Sequence, residues 1–115
     1  MLYLTPMPTD TLLVFCTCPD RSCAERIAGE IVGRKLAACV NIGGPSTSIY
    51  RWDGRRESAE EFTLAIKTAR ERYQALESAI TELHPYELPE IIAVPVVQGL
   101  SGYIQWVSQC TTEET

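Results

Sequence analysis

Residues 46–67 read STSIYRWDGRRESAEEFTLAIK, and this stretch decides the fold. Side chains at 46–52 alternate between two faces as they do in a strand, and those at 62–67 alternate cleanly again. Asp53-Gly54 is a strong signal for a tight hairpin turn. The charged run at 55–61 is most simply a solvated flank of the hairpin. The sequence therefore predicts two consecutive antiparallel strands in the middle of the chain.

One strand and one helix are predicted before this hairpin. The apolar run at 11–17 (TLLVFCT) indicates a strand that is buried on both faces. Asp20, or alternatively Ser22, caps the helix that follows. Five apolar residues of that helix recur at helical spacing: Ala24, Ile27, Ala28, Ile31 and Val32. Residues 36–42 then begin the second strand, which we expect Gly43-Gly44-Pro45 to interrupt.

A helix, a strand and a short terminal helix are predicted after the hairpin. Thr68-Ala69-Arg70-Glu71 has the spacing of a capping box and is predicted to begin the second helix. The inner face of that helix carries four residues: Tyr73, Leu76, Ile80 and Leu83. Residues 91–97 indicate a fourth strand, and residues 103–110 a short helix that carries Trp106.

The order of these elements is strand, helix, strand, strand, helix, strand and a short helix. This order predicts the α+β class and a ferredoxin-like split βαβ sandwich, in which two helices cover one face of a four-stranded antiparallel sheet. We expect one domain at 11–110, a flexible N-terminal tail at 1–10 and a C-terminal tail at 111–115. The second face, with Tyr50 and Trp52, has only the short helix to cover it, so self-association is expected.

The amino-acid composition excludes some classes of partner and favours one cellular setting. The chain has 115 residues, with 15 acidic and 10 basic side chains and a net charge of −5, which argues against nucleic acid or an anionic membrane as the main partner. Its five cysteines are odd in number and irregularly spaced, so they favour a reduced, cytoplasmic setting over a disulfide framework. No secretory signal or membrane span is recognised.

The single histidine lies in the connection His84-Pro85-Tyr86-Glu87-Leu88-Pro89-Glu90, between the second helix and the fourth strand. Two prolines restrict this backbone, so the connection presents an imidazole and two carboxylates from a stiff segment. A neutral imidazole is a metal ligand and titrates near neutral pH. The alternative is that His84 only completes the end of the helix before it.

Several motifs resemble the CutA family, whose members are called divalent-cation tolerance proteins. The resemblance covers about residues 11–108. The matching segments are KLAACVN (35–41), TSIYRWDG (47–54), IKT (66–68), HPYE (84–87) with PEI (89–91), and GYIQWV (102–107). The resemblance implies a ferredoxin-like subunit in a tight homotrimer, with strands paired between subunits. It also implies divalent-metal binding, copper above all, and a role in tolerance to excess metal ions.

The resemblance also implies the candidate ligands, which are Cys16, Cys39, His84 and Glu90. Thiolates suit copper(I), imidazole suits copper(II), and copper is the metal such donors bind most tightly, so copper(II) or another divalent cation is the expected ligand. Residues that could support the site are Lys67, Glu87 and Tyr86, and Lys67 could pair with Glu90 or another carboxylate across the sheet or the subunit interface. Metal binding is not expected to be obligatory for folding.

Each of these roles has a structural alternative. Free cysteines often pack as small hydrophobic groups, so Cys16 and Cys39 are either ligands or core residues. Cys18 shares a face with Cys16 and could join it in holding a soft ion, but a core position is favoured. Lys67 could instead lay its stem over apolar surface. The aromatic residues Tyr50, Trp52, Tyr86 and Trp106 are expected in packing and the trimer interface.

Three functions remain open at this point. The first is a metal-binding trimer, and the second is a rigid scaffold or signalling adaptor whose metal binding is adventitious. The third is an enzyme that uses His84, Glu90 and Lys67 as an acid–base set. Because the sequence contains no nucleophile elbow, phosphate loop or redox CxxC motif, we do not expect an enzyme.

Overall fold

The structure is a computed structural model, and it describes residues 9–112. Those residues form four strands, three α-helices and one 3₁₀ turn. In chain order these are β1 (Thr11–Cys18), α1 (Arg21–Gly33), β2 (Cys39–Trp52), β3 (Arg55–Ala69), the 3₁₀ turn (Arg70–Arg72), α2 (Tyr73–Leu83), β4 (Ile91–Pro95) and α3 (Ser101–Cys110). The strands make one antiparallel sheet in the order β2-β3-β1-β4. This is the predicted ferredoxin-like arrangement.

The two predicted tails fall largely outside the described residues, namely at 1–8 and 113–115. Thr9 and Asp10, which adjoin the first of these segments, are attached to the sheet by their backbones. The Thr9 amide donates to the Val96 carbonyl at 3.0 Å, and the Arg70 amide donates to the Asp10 carbonyl at 2.6 Å. Backbone hydrogen bonds to the sheet therefore extend to the two residues before β1.

The β2–β3 hairpin is longer than the sequence predicts. Its turn is the expected Asp53-Gly54, where both residues have positive φ and Trp52 pairs with Arg55. Gly43-Gly44-Pro45 does not interrupt β2, because the strand continues through a register shift between Gly43 and Ser46. Gly44 has φ of +128°, and a Cβ there would lie 3.0 Å from the Glu61 carbonyl oxygen, so this bulge requires glycine.

The two predicted helix caps have different outcomes. Asp20 caps α1, because its Oδ1 accepts from the Cys23 amide at 2.7 Å. The capping box predicted at 68–71 is wrong. Thr68 is a buried residue of β3, and its hydroxyl donates to the Leu36 carbonyl at 2.6 Å. The helix begins only at Tyr73, after the 3₁₀ turn, because β3 continues to pair with β1 through Ala69.

Helices α1 and α2 cover one face of the sheet, which we call the helix-covered face. Paired residues of adjacent strands share a face, so the pairs Val14–Ile66 and Cys16–Leu64 place alternate residues of β1 and β3 there. The core is formed by Leu12, Val14, Cys16, Cys18, Leu64 and Ile66 of the sheet with Ile27, Ile31, Leu76 and Ile80 of the helices. Val32 is the exception in the predicted stripe of α1, because it is 41% exposed.

We call the opposite face the second face. It carries the intervening residues of the strands, which are Leu13, Phe15, Ala65, Lys67 and Cys39. Helix α3 contacts β1 and β3, and its Tyr103 interacts with Cys39, so α3 lies on this face. Val107 of α3 is fully buried, whereas Tyr50 and Trp52 of the hairpin remain about half-exposed. The prediction that only the short helix covers this face is therefore confirmed for the subunit.

Candidate metal centre

Three potential metal ligands meet in the core of the subunit. Cys16 and Cys18 are two residues apart on β1, so both thiols lie on the helix-covered face. His84 follows the last residue of α2, and its ring reaches β1 at this point. One donor atom from each of the three residues lies within 4.8 Å of the others, and all three residues are buried. Among residues 9–112, no other group of three His, Cys, Asp or Glu side chains converges in this way.

His84 is held by hydrogen bonds at both ring nitrogens. The Nε2 atom lies 2.7 Å from the Thr17 carbonyl, which can only accept, so Nε2 carries the proton. The Tyr86 amide donates to Nδ1 at 3.1 Å. The backbone amide of His84 also donates to the Ile80 carbonyl and ends α2, while Pro85 prevents the helix from continuing. Coordination of a metal ion would have to replace the hydrogen bond at one of these two nitrogens.

The thiols of Cys18 and Cys23 are protonated at neutral pH. A hydrogen bond with Cys16, followed by burial, raises the pKa of Cys18 far above its ordinary value. Burial, with a smaller contribution from Cys18, raises the pKa of Cys23 from 9.0 to about 11. Because metal binding requires thiolates, an ion entering this cluster must displace protons. The donor types nevertheless fit a soft or borderline metal such as copper.

The structure separates the other two predicted ligands from this cluster. Cys39 pairs with Lys67, whereas Cys16 pairs with Leu64, so the two thiols lie on opposite faces of the sheet. Glu90 is exposed in the connection that precedes β4 and lines a surface cleft. Within one subunit, the predicted set of four ligands therefore does not form a single site.

Lys67 does not pair with Glu90. Its ammonium group donates to the Asn41 side chain on the second face of the sheet. The ion pairs among residues 9–112 are Arg21–Glu25 and Arg34–Glu30, and both lie on α1 or at its end. Within the subunit Lys67 thus pairs with Asn41 of β2 and not with a carboxylate, and a pairing across a subunit interface stays a prediction. Lys67 lies beside Leu13 of β1, whereas His84 contacts Thr17, four residues further along that strand, so the two side chains do not form one acid–base set within the subunit.

The remaining supporting residues line the cleft that contains Glu90. This cleft has a volume of about 800 Å³ and lies between the hairpin and the connection before β4. Its wall includes Thr17, Ser48, Tyr50, Trp52, Glu61, Tyr86, Glu87, Leu88, Pro89 and Glu90. The Tyr86 hydroxyl donates to Glu61 at 2.9 Å, and burial, followed by the Glu61 carboxylate, raises the pKa of Tyr86. Tyr86 thus connects the histidine segment to β3.

Two residues matter more here than the sequence indicated. Cys18 joins the cluster, and the signal was its C-x-C spacing on a strand, which placed it on the same face as Cys16. Glu61 was expected in a solvated flank but is only 8% exposed. No pattern in the charged run distinguishes Glu61 from its neighbours, because its burial comes from Tyr86 and the bulge on β2.

The predicted interface residues remain partly exposed in the subunit. Trp52 is 52% exposed and Trp106 is 42% exposed, and Trp106 lies 5.5 Å from the ring of Tyr103. None of the helices in the described part of the chain has the length and hydrophobicity needed to cross a bilayer.

Comparison with known proteins identifies the family. The profile of the CutA1 divalent ion tolerance protein family matches residues 12–110. The chain is 43% identical to Protein CutA of Homo sapiens over 105 residues, an overlap that covers 91% of this chain and 59% of the human protein. This chain therefore spans less than two thirds of the length of that relative.

A bacterial relative and a solved structure agree with this result. The chain is 37% identical over 100 residues to the divalent-cation tolerance protein CutA of Yersinia pestis, covering 87% of this chain and 84% of the relative. The crystal structure of CutA from Xylella fastidiosa superimposes with a TM-score of 0.89 at 41% identity, covering 90% of this chain and all of that one. On the extent of these matches, the chain belongs to the CutA1 divalent ion tolerance protein family.

Proposed function

We propose that the protein is a cytoplasmic homotrimer that binds divalent metal ions, chiefly copper, and contributes to metal-ion tolerance without catalysing a reaction. The observation that supports this most is the convergence of Cys16, Cys18 and His84 within 4.8 Å. Two thiolates and an imidazole favour copper in either oxidation state over hard cations such as Mg²⁺. The proposed centre retains two of the ligands predicted from the sequence and replaces Cys39 and Glu90 with Cys18.

A competitive copper titration of the reduced protein tests this centre. We expect stoichiometric binding in the wild type and a loss of affinity of more than about 100-fold in Cys16→Ser and His84→Ala, because direct ligands matter more than the residues that orient them. Cys39→Ser is the matched control, since it removes a thiol from the opposite face. Binding should also weaken as the pH falls, because the ligands must lose protons.

One observation favours a rigid scaffold with adventitious metal binding as the alternative. Both ring nitrogens of His84 already have backbone partners, which a purely structural histidine would also have. Weak copper binding that is equal in the wild type, Cys16→Ser and Cys39→Ser would contradict the metal proposal and favour this alternative. Circular dichroism and the oligomeric state of each variant exclude misfolding as the cause.

The proposed trimer rests on surfaces that one subunit leaves uncovered. Strands β2 and β4 are the two edges of the sheet, and an exposed edge strand can pair with another chain. Ile92 and Val94 of β4, together with Tyr50 and Trp52 of β2, are exposed apolar residues beside those edges. Light scattering should give three times the subunit mass of 12.8 kDa, and a stable species of 12.8 kDa would contradict the proposal. Cell fractionation tests the cytoplasmic location.

A further inference from the structure

Cys23 is a buried thiol that the proposed metal centre does not use. It is the third residue of α1 and is only 7% exposed, and its amide is fixed by the Asp20 carboxylate at 2.7 Å. Its thiol forms a hydrogen bond with that of Cys18, the fully buried last residue of β1. The Cys18 thiol also forms a hydrogen bond with Cys16. The three sulfur atoms therefore form a continuous row from the metal centre to the first turn of α1.

Cys18 has two thiol neighbours, and chain geometry favours Cys23 as its partner in a disulfide. Cys16 and Cys18 are two residues apart on one extended strand, so their Cα atoms are about 6.6–6.8 Å apart. That separation is at the upper limit of the range that disulfides span, roughly 4.4–6.8 Å. Cys23 lies on a different element, and the short connection between β1 and α1 turns the chain so that the two thiols meet.

The donors of the metal centre favour the lower oxidation state of copper. The thiols of Cys16 and Cys18 lie within 4.8 Å of a ring nitrogen of His84. Thiolates are soft ligands that select copper(I). A copper(II) ion held by these two sulfur atoms would therefore contact groups that can reduce it. When the Cys18 sulfur is oxidised, Cys23 is the adjacent thiol that completes a disulfide.

We propose that the subunit reduces copper(II) at this centre to copper(I) and in doing so joins Cys18 to Cys23 in a disulfide. The two thiols lose two protons and two electrons, and one S–S bond replaces two S–H bonds. Two Cu²⁺ ions, bound in succession, each take one electron and become Cu⁺. Cys16 and His84 remain as ligands for the product. The step consumes the thiol pair, so it is a stoichiometric reaction and not catalytic turnover. It rests on the proposed metal function, because the oxidant is the bound ion.

An anaerobic titration of the reduced wild-type protein with Cu²⁺ tests this step. After two equivalents per subunit, EDTA captures the remaining Cu²⁺, bathocuproine disulfonate measures Cu⁺, and dithiobis(nitrobenzoate) counts free thiols in urea. We expect two Cu⁺ for each disulfide and a fall from five free thiols to three, because the disulfide takes two. Trypsin cuts after Arg21, between the two cysteines, so crosslinked peptides in mass spectrometry identify the Cys18–Cys23 bond.

A redox-inert metal and three variants separate binding from reduction. Zn²⁺ accepts the same donors, and all five thiols should be recovered when EDTA removes it. Cys23→Ser should keep the wild-type affinity for Zn²⁺, because Cys23 is not a ligand, and should reduce Cu²⁺ at least about tenfold more slowly. Cys23→Ala, which adds no polar atom to the core, repeats the test in case serine alters the fold. Cys110→Ser, near the C-terminus, is the matched control and should react at the wild-type rate.

The possible failures are distinguishable. If copper binds and five thiols are recovered, the redox step is overturned while the metal proposal stands. A disulfide between Cys16 and Cys18, or an equal rate of Cu⁺ formation in Cys23→Ser and Cys23→Ala, would also overturn the role of Cys23. If the wild type binds neither Cu²⁺ nor Zn²⁺, both proposals fail together.

Discussion

On the helix-covered face of the sheet, cysteines are buried among apolar side chains, whereas on the second face Cys39 lies half-exposed beside Lys67 and Tyr103. The cleft beside Glu61 and Trp52 instead combines carboxylates with aromatic rings. Because alternate residues of a strand point to opposite faces, one position along β1 or β3 separates these two environments. A residue type alone therefore does not define a role in this protein.

The two faces also differ in how their charges are satisfied. Both ring nitrogens of His84 have backbone partners, and the thiols of Cys18 and Cys23 remain protonated. Around Glu61, a side-chain hydroxyl, that of Tyr86, donates to a carboxylate that is only 8% exposed. A metal ion can bind in the first environment only if the thiols lose protons, whereas the second environment holds a carboxylate and no thiol.

The largest effect should come from the packing of the two faces. Leu64 is fully buried on the helix-covered face, so Leu64→Ala should lower the free energy of unfolding by about 2–5 kcal/mol. Thr63→Ala, one residue away on the second face, should lower the free energy of unfolding by about 0.5 kcal/mol or less. Urea unfolding followed by circular dichroism measures both. Equal losses would mean that assembly buries the second face as completely as the helices bury the first.

A smaller effect should appear at alkaline pH. Well below pH 9, its ordinary pKa, the Cys23 thiol is protonated in both folded and unfolded chains, so it contributes no pH dependence there. Between pH 9 and about 11 the unfolded chain ionises first, because folding raises the pKa of Cys23, and stability falls by roughly 2–3 kcal/mol as the pH rises. Urea midpoints at pH 8 to 11 should fall less steeply in Cys23→Ala. Cys110→Ala, near the C-terminus, should retain the wild-type slope.

The smallest of the three effects concerns the attachment of α1 to the helix-covered face. Asp20→Ala removes the acceptor of the Cys23 amide and should lower the free energy of unfolding by about 1 kcal/mol. Ser22→Ala, at the other capping position considered from the sequence, should have almost no effect because Ser22 is an exposed residue inside the helix. Thermal unfolding of the two variants compares them directly. A larger loss in Ser22→Ala would contradict the assignment of the cap.

Local rules gave correct predictions where the competing tertiary contacts are weak. Asp53-Gly54 formed the expected turn because few residues other than glycine, asparagine and aspartate accept positive φ at low cost. The alternation at 62–67 identified β3 because one face is buried. At Thr68 the local signal for a capping box lost to pairing with β1 and to a buried hydrogen bond with Leu36. The segment at 43–45 likewise became a bulge and not a break, because β2 pairs with β3 on both sides of it.

The sequence by itself determined the order of the elements, the hairpin, the cap at Asp20 and the placement of Cys16 and Cys18 on one face, because each depends on neighbouring residues and on backbone geometry. Only the tertiary structure decided that His84 joins those cysteines, that Cys39 and Lys67 lie on the opposite face, and that Glu61 is buried beneath Tyr86. These depend on strand register and on contacts between residues 25 to 67 positions apart, for which local sequence patterns carry no information.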